Sequence, residues 1–215
     1  MKLALYSYWR SSCSWRVRIG LHHKGLAFDY RAVNLLAGEQ FGPEHRSRSP
    51  MGQVPVLEVE EGSQIRLVQS VAILEWLEER FPERPLLPRD PAGRARVRAL
   101  VEHVNSGIQP YQNAVVLRWM KEHSPDTAAW TAQFIGGGLA NLEAAVRPGA
   151  GRFCHGDEVT LADLYLVPQL YGGRRFGLDL APFPTLLRVE ASCQALEAFR
   201  LAEPARQPDA VPEKR

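Results

Sequence analysis

A cluster of hydroxyl and thiol side chains lies near the N-terminus, in the stretch YWRSSCSWRVRIGL. Ser11 to Ser14 stand where a short apolar, β-prone run gives way to a predicted helix. The first turn of a helix has backbone N–H groups without intrahelical partners and carries a partial positive charge. Hydroxyl donors there, with Arg10 and Arg16 as fixed cations, suit the binding of an anion: a phosphate, a carboxylate or a thiolate.

Two other short stretches narrow the kind of ligand. In GQVPVLEV, Pro55 follows Val54 just before a predicted strand. A proline at such a turn is often cis and presents the backbone of the preceding residue, with which a peptide ligand can pair like an added strand. Gln69 and Ser70 stand at the start of another predicted helix and could hold a carboxylate. Together these sites suit a small, anionic peptide that carries a thiol.

The elements that must position these residues are mixed strands and helices. KLALYSY and FDYRAVNL are β-prone, and a helix is predicted from Ser14 to Lys24, ended by Gly25. After a polar connection, VPVLEVEEGSQIRLVQS predicts a β-hairpin, and a further helix begins at Ser70. The predicted order is therefore β, α, β, connection, β, β, α over residues 1–81.

A proline-rich stretch, PERPLLPRDPAG, predicts a linker over residues 82–92. Residues 93–215 are predicted to form an all-helical domain, with breaks near Pro125, at 147–151 and near Pro182 and Pro184. Thr160 and Asp163 fit a capping box at the start of one helix. The proline-rich tail PARQPDAVPEKR is expected to be frayed. The predicted fold is an α/β domain followed by an all-α domain.

Composition excludes several classes of function. The chain has 215 residues, 23% charged, with a net charge of +2 and no long basic stretch, which argues against a nucleic-acid-binding surface. No signal peptide or 18-residue apolar run is present, so no membrane span is predicted. The six histidines lack metal-ligand spacing, so no metal site is expected. The odd count of three cysteines indicates reduced thiols and a cytoplasmic setting.

The chain resembles the cytosolic glutathione transferases, and more narrowly their zeta class. The zeta resemblance rests first on SSCSWRVRIGL and extends through NLLAGEQF, SPMGQVPVLEV, QSVAILEWLEERFP, IQPYQN, GDEVTLADLYLVPQL, RRFGLDL and RQPD. It therefore covers nearly the whole chain. It implies a thioredoxin-like first domain with a mixed sheet, a helical-bundle second domain, glutathione as the cofactor and a homodimer.

The resemblance also implies roles for individual residues. Ser11 would donate a hydrogen bond to the glutathione thiolate, with Ser12 and Cys13 beside it, and the backbone of Val54 would pair with the cysteinyl part of glutathione. Arg175 in RRFGLDL would hold a substrate carboxylate, together with Arg10; without the resemblance, Arg175 reads as a surface residue. The remaining glutathione-side positions are Gln40, Gln69, Ser70, Gln109 and Asn113.

The activity that the resemblance implies is a glutathione-dependent cis–trans isomerisation of maleylacetoacetate to fumarylacetoacetate. The same chemistry would serve maleylpyruvate, and a zeta-class transferase acting on α-halo acids is a further possibility. A conjugating transferase or a thiol-disulfide reductase working through Cys13 also stays open, although Arg10 stands where a dithiol motif would need a second cysteine. A non-catalytic binding module is the remaining hypothesis, and retention of both Ser11 and Ser12 argues against it.

Two questions about residues near the cluster stay open at this stage. Either Ser11 or Ser12 could be the main partner of the thiolate. Arg16 and Arg18 are two positions apart and face different sides of a helix, so at least one of them is expected to be a surface or structural residue.

Overall fold

The computed structural model describes residues 1–123 and 126–211. Two compact units are present: one contains Met1–Pro85 and the chain from Leu196 onward, and the other is Leu86–Ala195. The predicted break near Pro125 and the last four residues of the proline-rich tail lie outside the described residues.

The first unit is built on a mixed sheet of four strands in the order β2-β1-β3-β4. The strands are β1 (Lys2–Ser7), β2 (Asp29–Ala32), β3 (Val56–Glu61) and β4 (Ser63–Val68). Strand β1 is parallel to β2 and antiparallel to β3, and β3 and β4 form the predicted hairpin around Gly62. The mixed sheet predicted for this part of the chain is confirmed.

Three helices complete the sheet region: α1 (Ser12–His23), α2 (Pro43–Arg48) and α3 (Ser70–Arg80). Helix α1 ends as predicted, because Gly25 adopts a left-handed backbone and its N–H donates to the His22 carbonyl at 3.0 Å. Helix α2 lies in the stretch expected to be only a polar connection. Its sequence, PEHRSR, buries only His45, so it has no apolar periodicity by which it could be predicted.

The second unit is helical, as predicted. It contains α4 (Pro91–Asn105), α5 (Ala114–His123), α6 (Thr127–Thr131), α7 (Gly137–Val146), α8 (Leu161–Arg175) and α9 (Pro184–Gln194), with a 3₁₀ turn at Gln109–Gln112. The predicted capping box opens α8: the Asp163 carboxylate accepts from the Thr160 N–H at 2.7 Å and from its hydroxyl at 3.0 Å.

The C-terminal segment differs from its prediction. Helix α10 (Glu197–Leu201) packs on α1, and the segment belongs to the first unit rather than to the helical one. The predicted fraying is wrong for residues 204–211, because Asp209 accepts hydrogen bonds from the Trp9 N–H and the Tyr30 hydroxyl. Just before this stretch, the Ala202 carbonyl accepts from the Arg18 guanidinium. These contacts join residues about 200 positions apart in the chain, so no local pattern could predict them.

None of the helices within residues 1–123 and 126–211 combines the length and apolar character needed to cross a lipid bilayer.

Candidate active site

Ser11 is the N-cap residue of helix α1. Its backbone is extended, and its side-chain oxygen accepts a hydrogen bond from the Ser14 N–H at 3.2 Å, while its carbonyl accepts from the Trp15 N–H at 2.9 Å. A hydroxyl has one hydrogen to donate as well as lone pairs that accept. The capping bond therefore uses an acceptor position of Ser11 and leaves its O–H able to donate to an anion at the helix end.

Ser12 and Cys13 form the first turn of α1 and are half-buried. Within the described part of the chain their N–H groups have no backbone acceptor, as is usual for the first residues of a helix. The Arg10 guanidinium carbon lies 5.0 Å from the centre of the Trp9 ring, and no described carboxylate is within ion-pair distance of it. The helix end thus combines unpaired N–H donors, hydroxyls and a cation, which is the donor set that an anion requires.

Val54 precedes Pro55 through a cis peptide bond. Its side chain is buried in a cluster with Tyr8, Trp9 and Val33, which places it beside the residues that lead into Ser11. Neither the N–H nor the carbonyl of Val54 has a hydrogen-bond partner among residues 1–123 and 126–211. This pair of backbone groups can therefore bond an extended peptide in the manner of a neighbouring strand.

Gln69 is the one described residue other than glycine with a positive φ, at φ 70° and ψ 123°. Such a conformation costs on the order of 1–3 kcal/mol, and residues of this kind cluster at binding sites. The Gln69 side chain donates to Gln53 Oε1 at 3.2 Å, next to Val54. Ser70, the first residue of α3, is buried and accepts from Arg16 at 3.3 Å, which ties the start of α3 to α1.

Gln40 is buried in a 3₁₀ turn between β2 and α2. Its amide nitrogen lies 3.4 Å from the Leu35 carbonyl, and its side-chain oxygen has no hydrogen-bond partner within the described residues. The Gln40 carbonyl also packs against Gly52, where a Cβ would come within 2.9 Å of it. Gln40 therefore adjoins the segment that leads to Val54, and the predicted residues of the first unit form one continuous set.

The predicted residues of the second unit lie on two elements. Gln109 begins the 3₁₀ turn, and Asn113 follows it and accepts from the Val115 N–H at 3.1 Å. The turn is joined to helix α8 by a reciprocal pair of amide hydrogen bonds between Gln112 and Gln169, at 3.1 and 3.2 Å. These elements are therefore held together within the unit.

Arg175 is the exposed last residue of helix α8. Its neighbour Arg174 forms a two-fold ion pair with the buried carboxylate of Glu190, with one N–O distance of 2.6 Å. Both arginines are exposed, and the Arg174 ion pair ties the end of α8 to α9.

The other two cysteines have the surroundings of packing residues. Cys154 and Cys193 are free and buried, and burial raises the pKa of each thiol, with the negative charge of Asp163 adding to the shift. A raised pKa disfavours the nucleophilic thiolate. Neither thiol therefore suits catalysis, in keeping with the odd and dispersed cysteine pattern.

Comparison with known proteins identifies the family of the chain. The family model for the glutathione S-transferase N-terminal domain matches residues 10–80. A zeta-class glutathione S-transferase of Euphorbia esula is 47% identical over 98% of this chain and 93% of its own length. The chain belongs to the zeta class of the glutathione transferases.

Two further relatives of this zeta-class chain differ in their substrates. A maleylpyruvate isomerase of Ralstonia sp is 44% identical, over 97% of this chain and all of its own. The crystal structure of a maleylacetoacetate isomerase from Anaeromyxobacter dehalogenans 2CP-1, with glutathione bound in its active site, is 66% identical. The TM-score for that pair is 0.92, over 98% of both chains.

Sequence reasoning missed several features around the zeta-class site. Arg16 and Arg18 are both fully buried, so neither is the surface residue that the sequence allowed for at least one of them. Gln53 and the Gln112–Gln169 pair were also missed. Adjacency to the Val-Pro turn could have indicated Gln53, whereas the partners of the buried arginines are set only by tertiary contacts.

Proposed function

We propose that this chain is a glutathione-dependent cis–trans isomerase that converts maleylacetoacetate to fumarylacetoacetate. The observation that carries the proposal is the Ser11 hydroxyl, which caps helix α1 through its oxygen while its O–H is able to donate. The 66% identity to a maleylacetoacetate isomerase supports this substrate over maleylpyruvate.

The residues of the first unit fit glutathione by their donors and acceptors. The unpartnered N–H and carbonyl of Val54 would pair with its cysteinyl residue, and Gln69 and Ser70 at the start of α3 would hold its γ-glutamyl carboxylate. The buried, unpaired oxygen of Gln40 offers an acceptor nearby. Gln109 and Asn113 of the second unit are assigned to the remaining glutathione-side contacts.

Glutathione, when bound, supplies a thiolate that adds reversibly to the maleyl double bond, so that the carbon–carbon bond can rotate before the thiol is released unchanged. A free thiol with a pKa of about 8.5 is only a few per cent ionised at neutral pH. A hydrogen bond from Ser11 and the positive end of α1 could lower that pKa by roughly two units, or about 3 kcal/mol. Ser12 and Cys13, in the first turn of α1, would contribute their N–H groups and side chains to the same anion site.

Arg10 and Arg175 are assigned to the substrate, because a dicarboxylate requires cations. Guanidinium groups hold carboxylates through paired hydrogen bonds and stabilise the negative charge that develops during addition. Arg10 has no described carboxylate partner, so its charge is available to an anion. Arg175 lies at an exposed helix end, as a residue that meets a diffusing substrate would.

A second candidate activity is the isomerisation of maleylpyruvate. The 44% identity to a maleylpyruvate isomerase supports this candidate, and the chemistry required of Ser11 is the same. Turnover of α-halo acids would use the same thiolate.

We further propose a homodimer, as implied by the class, and a cytoplasmic setting, which the three free cysteines support. We propose residues 1–81 as the main glutathione-binding domain and the helical domain as the main substrate-binding domain. The exceptions are Gln109 and Asn113, assigned to glutathione, and Arg10, assigned to the substrate.

The test is the ultraviolet absorbance change of maleylacetone or maleylpyruvate mixed with the purified protein, with and without catalytic glutathione. Isomerisation that requires glutathione without consuming it would support the mechanism, and the ratio of the two rates would identify the substrate. Glutathione binding without turnover of either acid would instead favour a conjugating transferase.

A further inference from the structure

The loop that leads into Ser11 has few hydrogen bonds of its own. Strand β1 ends at Ser7 and helix α1 begins at Ser12, and within the intervening loop the Ser11 N–H donates to the Tyr8 carbonyl at 3.0 Å. Because a catalytic side chain must be held to within about 0.5 Å, other groups must fix this loop.

The C-terminal segment supplies one of those groups. One carboxylate oxygen of Asp209 accepts from the Trp9 N–H at 3.0 Å, and the other accepts from the Tyr30 hydroxyl at 2.6 Å. Asp209 therefore joins the loop before Ser11 to strand β2. The neighbouring Ala210 packs against the cluster that contains Trp9 and Val54.

The buried arginine of helix α1 holds the same loop from its other side. Arg18 donates to the Trp9 carbonyl at 2.9 Å, to the Tyr8 carbonyl at 3.4 Å and to the Ser7 hydroxyl at 3.1 Å. Its remaining bonds go to the Ala202 carbonyl, at 3.1 and 3.0 Å. Both polar backbone groups of Trp9 are thus fixed, one by Arg18 and the other by Asp209.

We infer that Asp209 is a positioning residue for the thiolate-holding site: its bond to the Trp9 N–H sets the place of the Ser11 hydroxyl at the end of α1. The inference rests on the proposed function of Ser11. It assigns a catalytic consequence to the C-terminal segment, which lies about 200 residues from the loop in sequence but in the same compact unit.

The two chemical properties of Asp209 can be separated by substitution. Asp209→Ala removes both acceptors and releases the Trp9 N–H. Asp209→Asn removes the charge, but its carbonyl can still accept from Trp9 while its amide donates to the Tyr30 oxygen. Positioning by the hydrogen bond therefore predicts damage in the alanine variant and rescue in the asparagine variant.

Gln207 provides a matched control within the same segment. Its side chain donates to the carbonyls of Leu201 and Glu203, at 3.0 and 2.8 Å, and so it holds the turns of the C-terminal segment. Among the described residues, neither of these hydrogen bonds goes to the loop before Ser11. Gln207→Ala should lower thermal stability and leave the site's chemistry unchanged.

The experiment measures the pKa of the bound glutathione thiol from the ultraviolet absorbance of its thiolate, together with kcat on maleylacetone and the melting temperature. We expect Asp209→Ala to raise the pKa of the bound thiol by about one unit and to lower kcat roughly 10- to 100-fold. Asp209→Asn should stay within about three-fold of the parent.

Two results would overturn the inference. One is an Asp209→Ala protein whose thiol pKa and kcat both match the parent; the other is a Gln207→Ala protein with the same changes as Asp209→Ala, because then only general loosening matters. If Asp209→Ala does not fold, Asp209→Glu replaces it, because glutamate keeps both acceptor oxygens but displaces them. We expect this variant also to raise the pKa of the bound thiol and to lower kcat. A parent protein that ionises bound glutathione but does not isomerise would contradict the proposed function while leaving the thiol pKa comparison intact.

Discussion

The Ser11 side-chain oxygen lies 3.2 Å from the Ser14 backbone nitrogen, so the residue assigned to the thiolate is also the cap of helix α1. The same hydroxyl is therefore expected to stabilise helix α1 and to contribute to catalysis. Substitution there has two expected effects, and they can be measured separately.

Ser11→Ala should reduce kcat by roughly 10- to 1000-fold, because it removes the hydroxyl that we propose stabilises the thiolate. It should also lower the free energy of unfolding by about 1 kcal/mol, since the Ser14 N–H loses its acceptor. Isomerase assays and urea unfolding of the same preparation provide both values.

Ser12→Ala is the control for Ser11, since Ser12 lies in the first turn and has no capping bond in the described structure. We expect it to unfold like the parent and to retain more activity than Ser11→Ala. Near-normal turnover of Ser11→Ala would move the thiolate's partner to Ser12 or Cys13.

Adjacent arginines at the end of α8 should respond differently to substitution. Arg175→Ala should raise the KM for the dicarboxylate about ten-fold, with a smaller effect on the KM for glutathione, because a lost charged hydrogen bond costs about 1.4 kcal/mol or more. Steady-state kinetics with each substrate varied in turn measures both constants.

Arg174→Ala serves as the comparison, because it leaves the buried Glu190 carboxylate without its ion-pair partner. Its main effect should be a fall in melting temperature. An equal rise in both KM values for Arg175→Ala would remove that residue from the substrate site.

Gln69 should show opposite effects on stability and binding. Gln69→Gly accommodates the positive φ with less strain, because glycine lacks a Cβ, and should increase the free energy of unfolding by up to about 1 kcal/mol. It should also raise the Kd for glutathione about ten-fold through loss of the side chain. Urea unfolding and calorimetric titration with glutathione test the two effects.

Gln69→Ala separates them, since it loses the same side chain but keeps the strained backbone. We expect it to bind glutathione as weakly as the glycine variant and to be less stable. A glycine variant that binds as tightly as the parent would show that Gln69 makes no useful contact.

The sequence predicts most of the first unit, because its strands, helix ends and capping residues are marked by local patterns such as Gly25 and the Val54–Pro55 turn. Helix α2 is missed because it buries only His45. The contacts of Arg18 and Asp209 are missed for a different reason: they pair residues from opposite ends of the chain, and a single sequence carries no signal for such pairs.

The same limit applies to site residues that depend on tertiary surroundings. The sequence proposes Ser11, Val54 and Gln69 from their places beside a helix start or a proline. In the structure Ser11 is an N-cap, Val54 precedes a cis peptide bond and Gln69 has a positive φ. Nothing in the sequence indicates that Arg16 would be buried against Ser70, because arginine at a helix surface is normally solvated.

His23 should make the stability of the first unit depend on pH. Burial, followed by the nearby cations of Lys24 and Arg84, lowers the pKa of its imidazole from 6.5 to about 4, against a smaller opposing effect of Glu78. The unfolded chain therefore binds more protons than the folded chain between about pH 4 and pH 6.5, so stability is full above this range and falls as the pH decreases through it.

Because the ring is only partly buried, we expect a loss of about 1–2 kcal/mol in the free energy of unfolding between pH 7 and pH 4.5 from this residue. His23→Gln should reduce the pH dependence by that amount, because glutamine does not titrate. Urea unfolding at several pH values decides the matter, and identical slopes for the parent and His23→Gln would exclude His23 as the source.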